Sequence, residues 1–249
     1  IPGIIILGVC AIFFAQFSTP TLYDADGYLH IRMAEFLRDL GPRYNFHWAR
    51  FSTFNGNFSD KDFLYHAALI PFTFFKNIFL GAKVAAFMFA AALFLGFYLM
   101  LRKYAHSKII PFMLLGFLFS AKFLETINSP RPLTLVILLS IWMIHLLIQK
   151  KYLWIFFAGI IYSLIHVTSP LAIFYAVIIE CVRRVDRKEF SLKSIFVVFS
   201  GVLVGFLIHP NFPNNFLVFY LNSILVPIYT IKTGVLELGA EFFPLNTRE

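Results

Sequence analysis

Charge is scarce in this chain. Aspartate, glutamate, lysine and arginine together make up 14% of its 249 residues, too little polar surface for a soluble domain of that length. Cysteine is nearly absent. Cys10 and Cys181 both lie in or beside apolar segments, which leaves no redox or metal-spacing signal and two small hydrophobes. Also missing is the alternation of apolar and polar positions, over segments of about ten residues, that a membrane barrel requires. Acids are scarcer than bases, 13 against 21, for a formal net charge of +8. The bases do not interleave with aromatics in a polar region, so we exclude nucleic-acid binding and ascribe the surplus to basic cytoplasmic loops.

What is abundant is grease. The chain is 59% hydrophobic, carries 33 phenylalanines and has a mean hydropathy of +0.78. Apolar runs long enough to cross a bilayer recur along it, which predicts an all-α polytopic membrane protein. The expected spans are 1–18, 84–101, 109–125, 133–149, 152–168, 170–183 and 194–209, with a weaker one at 215–231. That is a bundle of seven to eight helices in a single transmembrane domain over 1–249.

Segment 62–80 is apolar too, but it carries Asp62, His66, Pro71 and Lys76. Left out of the count, it lets the basic loops share one side: Arg102, Lys103 and Lys108; Lys150 and Lys151; Arg183, Arg184, Arg187, Lys188 and Lys193. The opposite turns, ETINSPRP, HVTSP and HPNFPNN, hold only Arg131. The positive-inside rule then makes 19–83 a long first outer loop containing interfacial helices. The expected location is a bacterial or archaeal cytoplasmic membrane, crossed several times, with the 19–83 loop outside. With no initiator methionine and a polar end in FPLNTRE, we expect a piece of a longer protein, with 1–17 a retained span and room for a further domain beyond 249.

The outer loop opens on YDADGYLHIR, residues 23–32, a concentration of charge at the mouth of the first apolar segment. Gly27 to Leu40 has helical spacing, with Leu29, Met33, Phe36, Leu37 and Leu40 as its apolar face and Gly41-Pro42 as its stop. One aspartate is explained as a helix cap. Two, with one spacer, can also present their carboxylates to a divalent cation such as Mg²⁺ or Mn²⁺, and one can act as general base. Asp24 and Asp26 are therefore the candidate catalytic and metal-binding residues. His30 and Arg32 are candidates to bind donor or acceptor.

The run DADGYLHIRMAEFL resembles the first outer loop of the catalytic subunit of oligosaccharyltransferases, as does FSTFNGNFSDKDFLYHAALIPF further on. The resemblance covers residues 19–80 best and implies the GT-C superfamily of membrane glycosyltransferases, which take sugar from a polyprenyl-phosphate donor on the outer face. By that likeness Asp26 matches the aspartate used for metal or acceptor, Asp24 the acidic position before it, and Arg32 the arginine of the helix. The next outer loop holds only Glu125 and Arg131 where oligosaccharyltransferases carry a second acidic motif, which favours the superfamily over that particular enzyme.

Arg131, between Pro130 and Pro132, is placed to clamp a phosphate bidentately, or to snorkel at the interface. His166 and His209 end spans on the outer side and are further candidates for binding donor or acceptor. Asp60 and Asp62 read as caps of the interfacial helix, and His66 lies on that helix with its direction open. His145, inside a span, reads as a neutral imidazole bonded to a neighbouring helix, and Glu180 as a partner of Arg183 or Arg184. The expected function is sugar transfer from a polyprenyl-phosphate donor. Membrane lipids are the surroundings, and other membrane subunits are conceivable partners. The rival is a non-catalytic scaffold subunit of a larger complex. A transporter, whose site would sit at midplane, ranks third.

Overall fold

The structure is a computed structural model that describes residues 2–45, 50–51, 55–186 and 190–234, with the side chains of 121 and 122 set aside. The bases Arg187 and Lys188 and the polar end FPLNTRE lie outside the described residues. Within them the chain is helical and has no strand. Two helices are long and apolar enough to cross a membrane, Ile78–Tyr104 and Asn214–Thr233, and six shorter apolar helices accompany them.

The first helix, α1 (Pro2–Phe17), is apolar all round, so nothing in its sequence selects one face. Its last carbonyls are met from a distance. The ammonium of Lys83, buried near the start of the long helix Ile78–Tyr104, donates to Gln16 O and Thr19 O. Helix α2 (Ala25–Leu40) begins where Asp24, in extended backbone, accepts a hydrogen bond from the Asp26 N–H, and it stops at Gly41, whose φ of 80° suits glycine. The buried face differs from the expected one. Leu29 and Leu40 are exposed, while Gly27, His30, Ile31, Met33, Ala34 and Leu37 face inward. The helix is turned by about one residue because His30 finds a buried partner and Ala34 allows closer approach than a leucine would.

Segment 62–80 is not one interfacial helix. It breaks into α3 (Phe63–Leu69), a 3₁₀ turn (Ile70–Phe74) and the first residues of α4 (Ile78–Tyr104), whose N-terminus is capped by Asn77 Oδ1 accepting from Phe79 N and Leu80 N. Pro71 ends the α geometry. The expected span at 109–125 is likewise two helices, α5 (Ile110–Phe119) and α6 (Ala121–Asn128). Ser120 divides them, leaving helical geometry and accepting from the Phe123 N–H at 3.3 Å. Helices α7 (Leu133–Ile148), α8 (Tyr152–Ile165), α9 (Leu171–Val185) and α10 (Leu192–Leu207) follow the hydropathy closely. The last expected span becomes α11 (Asn214–Tyr220), a π turn (Leu221–Leu225) and α12 (Val226–Thr233).

Helices α7 to α10 enclose one core, around Met143, Leu147, Ile155, Tyr162 and Val198. Helices α1, α4, α5 and α6 enclose another, around Ile12, Leu93, Phe94 and Leu114. Contact between α8 and α10 is backbone-close. A side-chain carbon on Gly201 would collide with Phe156 O, and one on Gly205 with Ser163, so the two helices meet along a seam of small residues. Helices α2, α3 and α4 meet over Ile31, Ala34, Tyr65, Leu69 and Ala85. Large apolar side chains cover much of the exterior, among them Phe14, Phe112, Leu153, Phe174 and Phe196.

The turns fall into two groups. At one end Tyr104 is bonded to His145 Nδ1 at 2.8 Å, Arg183 donates to the Leu147 and Ile148 carbonyls, and buried Glu180 accepts from Arg183, Ser194 and the Ser191 N–H. His145 and Glu180 are thus held by neighbouring helices. At the other end the turns before α7, after α8 and after α10 converge on residues 24–66, and the site lies there.

Candidate functional site

The site is a cavity of about 460 Å³ whose walls include Asp26, His30, Met33, Phe58, Lys61, His66, Arg131, Leu133 and His166. Four segments distant in sequence build it. Gly27 brings in the first, for its missing side chain lets the start of α2 lie against Pro130. That contact sets Asp24 and Asp26 beside Arg131. The guanidinium touches Asp24 Oδ2 through Nε and Asp26 Oδ2 at 2.9 Å through a terminal nitrogen. The two carboxylates therefore hold a cation of the protein itself. Asp26 is half-exposed at the cavity rim, and Asp24 also serves as the helix cap.

Deeper in, the same helix α2 meets the segment around α3. His30, on the third residue past Gly27, shares a hydrogen bond of 2.8 Å between its Nδ1 and His66 Nε2. The other nitrogen of His66, Nδ1, faces both oxygens of Asp60 at 2.7 and 2.8 Å. Asp60 also accepts from the Asp62 N–H at 3.1 Å. Asp62 stands at the start of α3 but makes no capping bond, and its Oδ1 is buried without a hydrogen-bond partner. The expectation that these two aspartates are helix caps gives way here. Both are nearly inaccessible, and both carboxylates turn toward histidines rather than toward the helix N–H groups.

The last segment comes from the far turns. His166 accepts at Nδ1 from the Thr168 N–H, which leaves Nε2 directed at Asp62 Oδ1, 3.7 Å away. His209 accepts at Nδ1 from the Asn211 N–H and donates from Nε2 to Asp60 O at 3.0 Å. Asn211 in turn accepts from the Asp60 N–H. His209 thus braces the loop that carries Asp60.

Burial governs the protonation of these groups. It pushes His30 down to about 3, with the neighbouring His66 adding to the effect. His166 falls to about 4, from burial and then from Lys61, and His209 falls as well. Burial raises the Asp62 carboxyl to about 7. Burial alone would lower His66 and raise Asp60, but each is the other's partner, so His66 ends above its ordinary value and Asp60 below. Each partner thus favours the charged form of the other.

Among the described residues, His30, Asp62 and His66 can offer one ligand atom each within 4.8 Å of one another, which makes them able to hold a metal ion. Of the residues singled out by sequence, Asp24, Asp26, His30, Arg131 and His166 meet at this end, and His209 supports it from behind. Arg32 does not join them. It pairs with Glu35 at 2.5 Å and lies over the Phe79 ring, half-exposed and outside the cavity wall. Sequence reasoning passed over Lys61 and gave Asp60, Asp62 and His66 lesser roles. The available signal is the spacing of four between Asp62 and His66, which puts both on one helical face. No family model, curated protein or solved structure matches the chain.

Proposed function

We propose that the chain is a multi-pass membrane glycosyltransferase of the GT-C kind, which transfers a sugar from a polyprenyl-phosphate donor to an acceptor on the non-cytoplasmic face. The observation that carries this reading is the cavity: carboxylates, imidazoles and two cations gathered at the less basic end of an otherwise apolar bundle. Arg102, Lys103, Lys150, Lys151, Arg183 and Lys193 belong to the opposite turns. The positive-inside rule therefore favours the cavity end as the outer one. An apolar groove of about 540 Å³ along α4 and α7, from Leu135 past Leu138 and Trp142 to His145, suits an isoprenoid tail. It starts two residues beyond Leu133 of the cavity wall.

In this reading Lys61 and Arg131 receive the donor phosphate, and Asp26 takes the proton of an acceptor hydroxyl or orients it. The acceptor oxygen bonds to the anomeric carbon as the bond to the phosphate oxygen breaks, and polyprenyl phosphate leaves with the electron pair. The phosphate is a good leaving group, so the protein's work is positioning and charge neutralisation. A second reading, a scaffold subunit without catalysis, is favoured by one observation: Arg131 already bridges Asp24 and Asp26.

Transfer from radiolabelled polyprenyl-phosphate sugars, in membranes carrying wild type or Asp26→Asn at equal amounts, tests the choice. We expect transfer by the wild type and a loss of at least about 100-fold in the variant, the scale of a lost general base. No transfer by the wild type across a broad donor panel would sink the enzyme and leave the scaffold.

A further inference from the structure

We propose that His30, His66 and Asp62 are the protein ligands of a divalent transition-metal ion, zinc before all others, with a fourth coordination position open to the 460 Å³ cavity. This is a different site from the Asp24 and Asp26 pair, and the inference does not depend on sugar transfer.

The first support is orientation. Metal-bound histidines nearly always give their second ring nitrogen to a carboxylate or carbonyl, which fixes the ring and strengthens the ligand. His66 has that arrangement already: Nδ1 is bonded to Asp60, so Nε2 is the nitrogen turned inward. Asp60 is itself held by the Asp62 N–H and by the Asn211 side chain at its own N–H. The second support is Asp62, whose Oδ1 is buried and has no hydrogen-bond partner. A carboxylate oxygen sealed from water without a partner costs free energy, and a cation within reach removes that cost. The third support is charge. Arg131 is taken up by Asp24 and Asp26, while Asp60 and Asp62 bring two further carboxylates into one buried place beside a single lysine, Lys61. A bound cation supplies the rest of the balance.

Donor type selects the metal. Two imidazoles and a carboxylate suit zinc and its first-row neighbours, whereas calcium and magnesium take oxygen shells. Two nitrogens on a tetrahedral zinc stand about 3.3 Å apart, given Zn–N bonds of about 2.0–2.1 Å. The His30 and His66 nitrogens are 2.8 Å apart, bridged by one proton. Zinc replaces that proton and opens the pair by about half an ångström. Three protein ligands and one open position is the pattern of zinc sites that activate water or polarise a bound oxygen, and the open position faces the cavity.

The test uses the full chain in detergent, stripped with chelator, reloaded with Zn²⁺ alone and desalted, with metal content read by mass spectrometry. We expect about one zinc per chain in the wild type and binding weakened at least about 100-fold in both Asp62→Asn and His30→Gln. Asp60→Asn should lose about 10–100-fold, as for a residue that orients a ligand. Reloading with Co²⁺ should give the intense visible absorption of a tetrahedral site containing nitrogen. Melting and gel filtration of each metal-free variant separate lost ligation from lost folding, and His30→Gln stands in if Asp62→Asn does not fold. A wild type that retains no zinc, variants that retain as much as the wild type, or a preference for Mg²⁺ would each overturn the site. No sugar donor is present in these measurements, so a failed transfer assay leaves their result standing, and the reverse holds too.

Discussion

Arg131 is the residue on which the rim of the site turns. It meets two carboxylates from one side of the cavity mouth, and its own side chain is one-third exposed. Replacing it with alanine leaves Asp24 and Asp26 facing each other without a cation. We expect Arg131→Ala to destabilise the detergent-solubilised protein by about 1.5–3 kcal/mol, the range for hydrogen bonds to charged groups. Arg131→Lys should restore less than half, because an ammonium cannot fork across two carboxylates. A double-mutant cycle with Asp24→Asn, read by thermal unfolding, should show coupling of at least about 0.5 kcal/mol. Additive losses would mean the contact is idle. At this scale the sequence was legible in part. That one aspartate of YDADGYLHIR caps the helix could be read from the sequence, and Asp24 takes that place. The bond between His30 and His66 could not, since 36 residues separate them and no periodicity reports a meeting across that distance.

Among the elements, α8 and α10 depend most on what is absent from their surfaces. Gly159, Gly201 and Gly205 let the two backbones touch, and a larger side chain has nowhere to go but into the opposite carbonyls. Gly201→Leu should cost about 3 kcal/mol or more, at or above the upper end for overpacking, and should lower the melting temperature sharply. Gly116, by contrast, has open space around it, so Gly116→Ala should be neutral or stabilising by up to about 1 kcal/mol. Equal melting temperatures for Gly201→Leu and wild type would show that the helices slide apart without loss. Hydropathy located most of these elements to within a few residues, because a run of apolar side chains is a local property. It missed the break at Ser120, where the run stays largely apolar while the backbone turns extended and the serine side chain caps the next helix. It kept Met33 and Leu37 on the buried face of α2 but set Leu29 and Leu40 there in place of His30 and Ala34, because counting leucines ignores that a histidine with a partner can be buried.

For the whole molecule, the separation of a basic end from a histidine-and-aspartate end sets a direction. In a background of Cys10→Ser and Cys181→Ser, a single cysteine at Asn57 should react with an impermeant maleimide added to intact cells, and one at Lys108 should not. Both positions are exposed. The reverse pattern would put the cavity on the side where the proposed donor is not used. The same arrangement has a consequence in time. Asp60 is held on its carbonyl side by His209 and on its N–H side by Asn211, partners 149 and 151 residues further along the chain. At a synthesis rate of about 5–20 residues per second, roughly 7–30 s pass between the appearance of Asp60 and the arrival of the residues that fix it. For that interval the acidic loop is already made and lacks both of these holds, so an insertase or chaperone has something to hold.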